Sequence, residues 1–158
     1  MRRGHDGQEI LRVRRMRQGK SYKDLRALIG IVIVAHGGLA REYLAAIEHV
    51  VGPQNGIRAI SVESGDDREA KAAEISAAAS EVDRGAGVAV VTDMFGGSPS
   101  NLSMPACRSG DRRMLYGANL PMLIKLAKSR DKALPDAVRD ALYAARKYID
   151  SQNISVED

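Results

Sequence analysis

The chain is poor in the residues that many functions require. It has no tryptophan, one phenylalanine and an aromatic content of 4%. A surface for stacking on nucleic-acid bases is therefore not expected. Cys107 is the only cysteine, which rules out an intramolecular disulfide and a cysteine-built zinc cluster, and suits a reducing cytoplasm. The longest apolar run, Ile29 to Ala35, is far too short to span a bilayer, so no direct membrane insertion is expected. A phosphate-binding GK[ST] loop is missing, leaving no motif for ATP.

What remains is 158 residues, 44% of them hydrophobic, enough for one domain with a real core. The net charge of +4 invites a nucleic-acid reading, but its distribution argues otherwise. Residues 1–28 carry nine basic and three acidic residues, a balance of +6, which leaves −2 for the rest of a chain totalling +4. The domain proper is mildly acidic, and no nucleic-acid partner is expected. The leader has no apolar segment of secretory type. It reads as a basic arm for an acidic partner or as a disordered tail, and such charge runs are usually solvated. Leu28 stands where a domain of this kind would begin with methionine, so the leader is expected to be disordered or, if translation starts at a non-standard codon there, never made in the cell. The expected organisation is thus a leader (1–28), one domain (29–150) and a tail (151–158).

From Ile29 onward, strand and helix signals alternate. Ile29 to Val34 is a β-branched run suited to a strand covered on both faces. Leu39 to Val51 has helical apolar spacing and stops at Gly52-Pro53. Ile57 to Val62 predicts a second strand. Asp66 to Val82 predicts an alanine-rich helix opened by an Asp66/Glu69 capping box. Gly87 to Val91 predicts a third strand, and Pro99 to about Ser109 a helix that Pro105 should kink or shorten. Arg113 to Tyr116 predicts a fourth strand, and helices follow over Pro121 to Lys128 and Asp136 to Ile149. The alternation predicts an α/β fold: an open, mostly parallel, doubly wound sheet with helices on both faces. Such sheets gather their chemistry beyond the carboxyl ends of the strands, at a topological switch point.

Two segments fall there. "VAHGG" ends the first strand on His36, and "VVTDMFGGSPSN" leaves the third through Asp93. A carboxylate on one imidazole nitrogen fixes the tautomer and leaves the other nitrogen a free lone pair. Gly96 and Gly97 permit positive φ and close backbone approach. Ser98 reads as an N-cap, with Pro99 at the first helical position. A Gly-Gly-Ser turn entering a helix offers N–H groups to an anion, a phosphoryl group above all. The chemistry these residues support is covalent phosphoryl acceptance on histidine, with no metal and no other cofactor required. His49 should be an exposed helix residue, Cys107 a small helix residue, and the Arg112-Arg113 pair solvated. Met94 and Phe95 should pack around the site or form partner surface.

Three blocks in order, "GIVIVAHGGLA", "VTDMFGGSPSNLS" and "YGANLPMLIKLA", resemble the mannose-type enzyme IIA domain of the bacterial phosphotransferase system, over about Ile29 to Ile149. The resemblance implies a homodimer. It also implies a histidine phosphorylated by the small carrier HPr, which hands the group to a IIB protein. Carried over, His36 would be the phosphorylated residue and Asp93 its hydrogen-bonded partner. Gly96, Gly97 and Ser98 would hold the phosphoryl group, with Gly37, Asn119 and Pro121 lining the site. Ala35 stands where relatives often have Thr or Ser, so one hydroxyl contact is absent. Three alternatives stay open. One is the phosphotransfer subunit of a dihydroxyacetone kinase, which lacks the "GGSP" turn. Another is an enzyme acting on a small phosphorylated molecule, although the three blocks contain no arginine. The third is a regulatory binding module without turnover, and a permease-less regulatory branch is equally compatible with the residues.

Overall fold

The computed structural model describes residues 27–108 and 110–152. The leader reading falls on residues outside these, apart from 27 and 28, as does most of the tail. The order is β1 (Gly30–His36), α1 (Leu39–Val51), β2 (Ile57–Val62), α2 (Arg68–Val82), β3 (Val88–Thr92), α3 (Ser98–Ser103), a 3-10 turn (Pro105–Cys107), β4 (Arg112–Tyr116), α4 (Leu120–Lys128) and α5 (Leu134–Lys147). The four strands form one sheet in the order β2-β1-β3-β4, and every pairing is parallel.

The unbroken β-branched stretch Ile31 to Val34 explains why β1 is central. Alternate side chains point to opposite faces of a strand, and both faces of this one are covered. Ile31 and Ile33 join Ile47 of α1, Leu123 and Leu126 of α4 and Ala141 of α5 in one core layer. Val32 and Val34 join Ile75 and Ala79 of α2 and Leu102 of α3 in the other. Gly30 lets α2 lie close to the sheet, since a Cβ there would sit 2.5 Å from the Val82 carbonyl oxygen. Among the described residues no helix is long and apolar enough to cross a membrane.

Two local expectations are corrected, and the shortening of the helix at Pro105 is borne out. The cap of α2 is Asp67, whose side chain accepts the Ala70 N–H; Asp66 instead accepts the Glu63 N–H at 2.8 Å and holds the preceding loop. The helix after β3 ends at Ser103, because Pro105 cannot supply the N–H that would extend it, and the chain continues as a 3-10 turn. Arg112 is not solvated: its guanidinium donates to the Ala106 carbonyl at 2.8 Å and to Ser80 Oγ at 3.2 Å, tying β4 to the 3-10 turn and α2.

The connections set up the site. From β1 the chain moves outward to β2, then crosses back over β1 to lay down β3 and continue to β4. The reversal falls between the central neighbours β1 and β3. In their register Thr92 stands opposite Val34, so Asp93 leaves the sheet level with the last residues of β1.

Candidate active site

His36 is the last residue of β1, and Asp93 is the first residue past β3. Asp93 Oδ2 accepts two bonds from the same residue, the backbone N–H of His36 at 3.0 Å and its imidazole Nδ1 at 2.7 Å. Asp93 Oδ1 accepts the Met94 N–H at 3.0 Å. Burial pushes the Asp93 carboxyl upward, but these three donors and the charge of the imidazole more than offset it and hold the group below its ordinary value. A carboxylate can only accept, so Nδ1 carries a proton, and in the neutral form of the ring Nε2 presents its lone pair. The His36 side chain is 48% exposed and that of Asp93 13%. The orienting carboxylate is covered while about half of the imidazole is open.

Gly37 has φ +53, a left-handed turn that carries the chain off the strand end, and Gly38 caps α1 without a side-chain bond. On the other side of the ring lies the Gly-Gly-Ser turn. Gly96 has φ +83, as expected of a glycine. Gly97 has φ −80, an ordinary value, and is required for a different reason. A Cβ at Gly97 would stand 3.0 Å from His36 Cε1 and 3.4 Å from Nε2. The backbone at Gly97 therefore packs on the edge of the imidazole that carries the free nitrogen.

The expected cap is revised. Ser98 is the first residue of α3 and Gly97 is the cap, with no side-chain cap bond. The Gly96 N–H is also unavailable to an incoming anion, because Ser100 Oγ accepts it at 2.9 Å. Among the described residues no bond occupies the Gly97 N–H or the Ser98 hydroxyl, and both belong to the turn beside the imidazole. With six residues, α3 contributes little macrodipole here.

Asn119 and Pro121, expected to line the site, are engaged elsewhere. Asn119 caps α4 by accepting the Met122 N–H at 3.0 Å and donates to the Ala145 carbonyl of α5 at 3.1 Å. Pro121 opens α4 and lines the groove between α4 and α5. Two residues not singled out in the sequence contribute to the surroundings. Tyr43 of α1 donates to the Ala118 carbonyl at 2.9 Å and steadies the loop after β4; burial, and then the charge of Asp93, push its phenol upward. Ser100 is the other. Met94 and Phe95 are exposed, and the Phe95 ring lies 4.8 Å from that of Tyr116. His49 is exposed on α1, and Cys107 is half-buried in the 3-10 turn.

The fold is thus a parallel doubly wound α/β sheet with a carboxylate-oriented histidine at its switch point. The chain matches the EIIA-man family, described as the PTS system fructose IIA component, over residues 30–143. It belongs to this family of phosphotransferase-system components, as its three motifs indicated. It is 30% identical over 104 residues to the PTS system mannose-specific EIIAB component of Escherichia coli (strain K12), which covers 65% of this chain and 32% of that protein. The chain thus spans about a third of the length of the curated relatives it matches. Among solved structures, phosphotransferase system component EIIA from Streptococcus agalactiae superposes with a TM-score of 0.70 at 26% identity, over 78% of this chain and 97% of that one. The mannose/sorbose specific IIA subunit from Enterococcus faecalis gives 0.70 at 22% identity, over 83% and 99%, and shows the shared fold.

Proposed function

We propose that this chain is a phosphocarrier whose His36 accepts a phosphoryl group at Nε2 from a phosphorylated HPr-type carrier. It then passes the group to a IIB protein, or holds it as a signal in a branch without a permease. The observation that carries this reading is the 2.7 Å bond from Nδ1 to Asp93, which directs the lone pair of Nε2 outward beside the Gly-Gly-Ser turn. In the transfer, a P–N bond forms at Nε2 while the bond from phosphorus to the donor breaks, its electron pair staying on the donor. The Nδ1 proton remains between the ring and Asp93, whose negative charge balances the charge gained by the imidazole. The Gly97 N–H and the Ser98 hydroxyl supply hydrogen bonds to the phosphoryl oxygens as they pass.

The test uses phosphoenolpyruvate, enzyme I and HPr, with intact mass as the readout. One phosphoryl group should appear, labile to acid and stable to base as a phosphoramidate is. His36→Ala should abolish it and His49→Ala should retain it. Phosphorylation of the His36→Ala protein would overturn the assignment. The protein is further proposed to act in the cytoplasm as a homodimer. Sedimentation at micromolar concentration should show the dimer, and a monomer alone would refute that part.

A further inference from the structure

We infer that Ser100 is a positioning residue for His36, acting by locking the glycine turn against the imidazole; its bearing on transfer rests on the phosphocarrier reading. The turn has a physical problem of its own. A side chain at Gly97 would crowd the ring, its Cβ 3.0 Å from His36 Cε1, and positive φ at Gly96 favours glycine there too. A Gly-Gly pair is the most mobile dipeptide a chain can contain. The segment that must hold still beside the reactive nitrogen is thus built from residues with the least intrinsic order.

Ser100 removes that freedom. It is fully buried, and its hydroxyl accepts the Gly96 N–H at 2.9 Å while donating to the Gly97 carbonyl at 3.0 Å. One hydroxyl therefore grips the first N–H and the last C=O of the dipeptide. Only a group that both donates and accepts can do this, and serine is the smallest residue that carries one. Asn101 adds its backbone N–H to the Gly97 carbonyl at 3.0 Å and its side-chain amide to the Gly96 carbonyl at 3.3 Å. The imidazole is then fixed by Asp93 at Nδ1 and flanked by the turn at Gly97, where an added Cβ would stand 3.0 Å from Cε1, although about half of the ring faces solvent. Ser103, one turn further on, supplies a matched contrast. It is equally buried, but its hydroxyl only donates to the Pro99 carbonyl of its own helix, at 2.6 Å.

The experiment compares wild type, Ser100→Ala and Ser103→Ala by NMR of the ring nitrogens of His36, by amide exchange at Gly96, and by the rate of phosphoryl acceptance from phospho-HPr. In the wild type the Gly96 amide, on an exposed residue, should be protected from exchange because Ser100 holds it. Ser100→Ala should lose that protection, shift and broaden the His36 ring signals, and slow acceptance about tenfold, the equivalent of one net hydrogen bond. Ser103→Ala should leave ring signals and rate unchanged. An unprotected Gly96 amide in the wild type overturns the inference without any variant having to fold. Identical ring spectra and rates for the two variants also overturn it. If the wild type accepts no phosphoryl group, the phosphocarrier reading fails, while the ring and amide measurements still decide the role of Ser100.

Discussion

Replacing Asp93 by asparagine separates the shape of its side chain from its ability to accept, because three N–H groups point at its two oxygens. Oδ2 takes the backbone N–H and Nδ1 of His36, and Oδ1 takes the Met94 N–H. Asparagine has one oxygen and one NH2. With the oxygen toward His36, the NH2 faces the Met94 N–H and a donor meets a donor. With the amide flipped, the NH2 faces the backbone N–H of His36 and can bond to the imidazole only if Nδ1 gives up its proton. The ring proton then moves to Nε2 and the nucleophilic lone pair is lost. Either orientation forfeits at least one bond to a charged acceptor, about 1.5–3 kcal/mol. If that loss is felt in the transition state, acceptance slows by roughly ten- to a hundredfold. The assay is the initial rate of labelling from phospho-HPr, read together with the ring-nitrogen shifts of His36, which report the tautomer directly. A folded Asp93→Asn protein with wild-type rate and wild-type tautomer would refute the reasoning.

Gly97→Ala should leave the backbone unstrained, since φ is −80, yet set a methyl 3.0 Å from His36 Cε1. The ring must yield by a few tenths of an ångström, and acceptance should fall at least tenfold with little change in melting temperature; an unchanged rate would show that this contact does not matter. Acid should expose the part played by Asp93 in stability. A carboxyl whose folded value lies below its unfolded one stabilises the fold above the ordinary value and loses that contribution as the pH falls through the folded value. The lead of the wild type over Asp93→Asn in urea midpoint should therefore shrink as the pH drops below 3.8, the ordinary value for the group.

The sheet was legible in the sequence from short-range rules, and His36 and Asp93 from their places at strand ends, while the bond between them was implied by the family resemblance. The run from Ile29 to Val34 announces a strand covered on both sides, and chemistry collects at the carboxyl ends of such strands. The turn was less legible. Serine before proline normally marks a cap, but Gly97, with its extended backbone, already occupies the cap position, and Ser98 falls one place inside the helix. Adjacent aspartates raised the same ambiguity at α2, where Asp66 is drawn off to the Glu63 N–H and Asp67 caps. Ser100 gave no signal, since its importance depends on where the Gly96 N–H and Gly97 carbonyl point. The reason for Gly97 is likewise invisible locally, being the nearness of a ring from another strand. Arg112 looked like half of a solvated pair because the sequence does not reveal that β4 places it over the 3-10 turn.

Asp93 reaches across 57 positions of sequence to the backbone N–H of His36, extending the β1–β3 pairing by one more rung. A growing polypeptide therefore exposes His36 as an ordinary histidine long before its partner has been synthesised. The two meet only once β3 lies against β1, with β2 and α2 intervening in the chain, a long-range closure. The oriented imidazole is thus a property of the finished sheet and not of the motif around it. A nascent or partly unfolded copy presents the same histidine with neither its tautomer nor its direction set, so maturation of the fold and readiness of the site are one event.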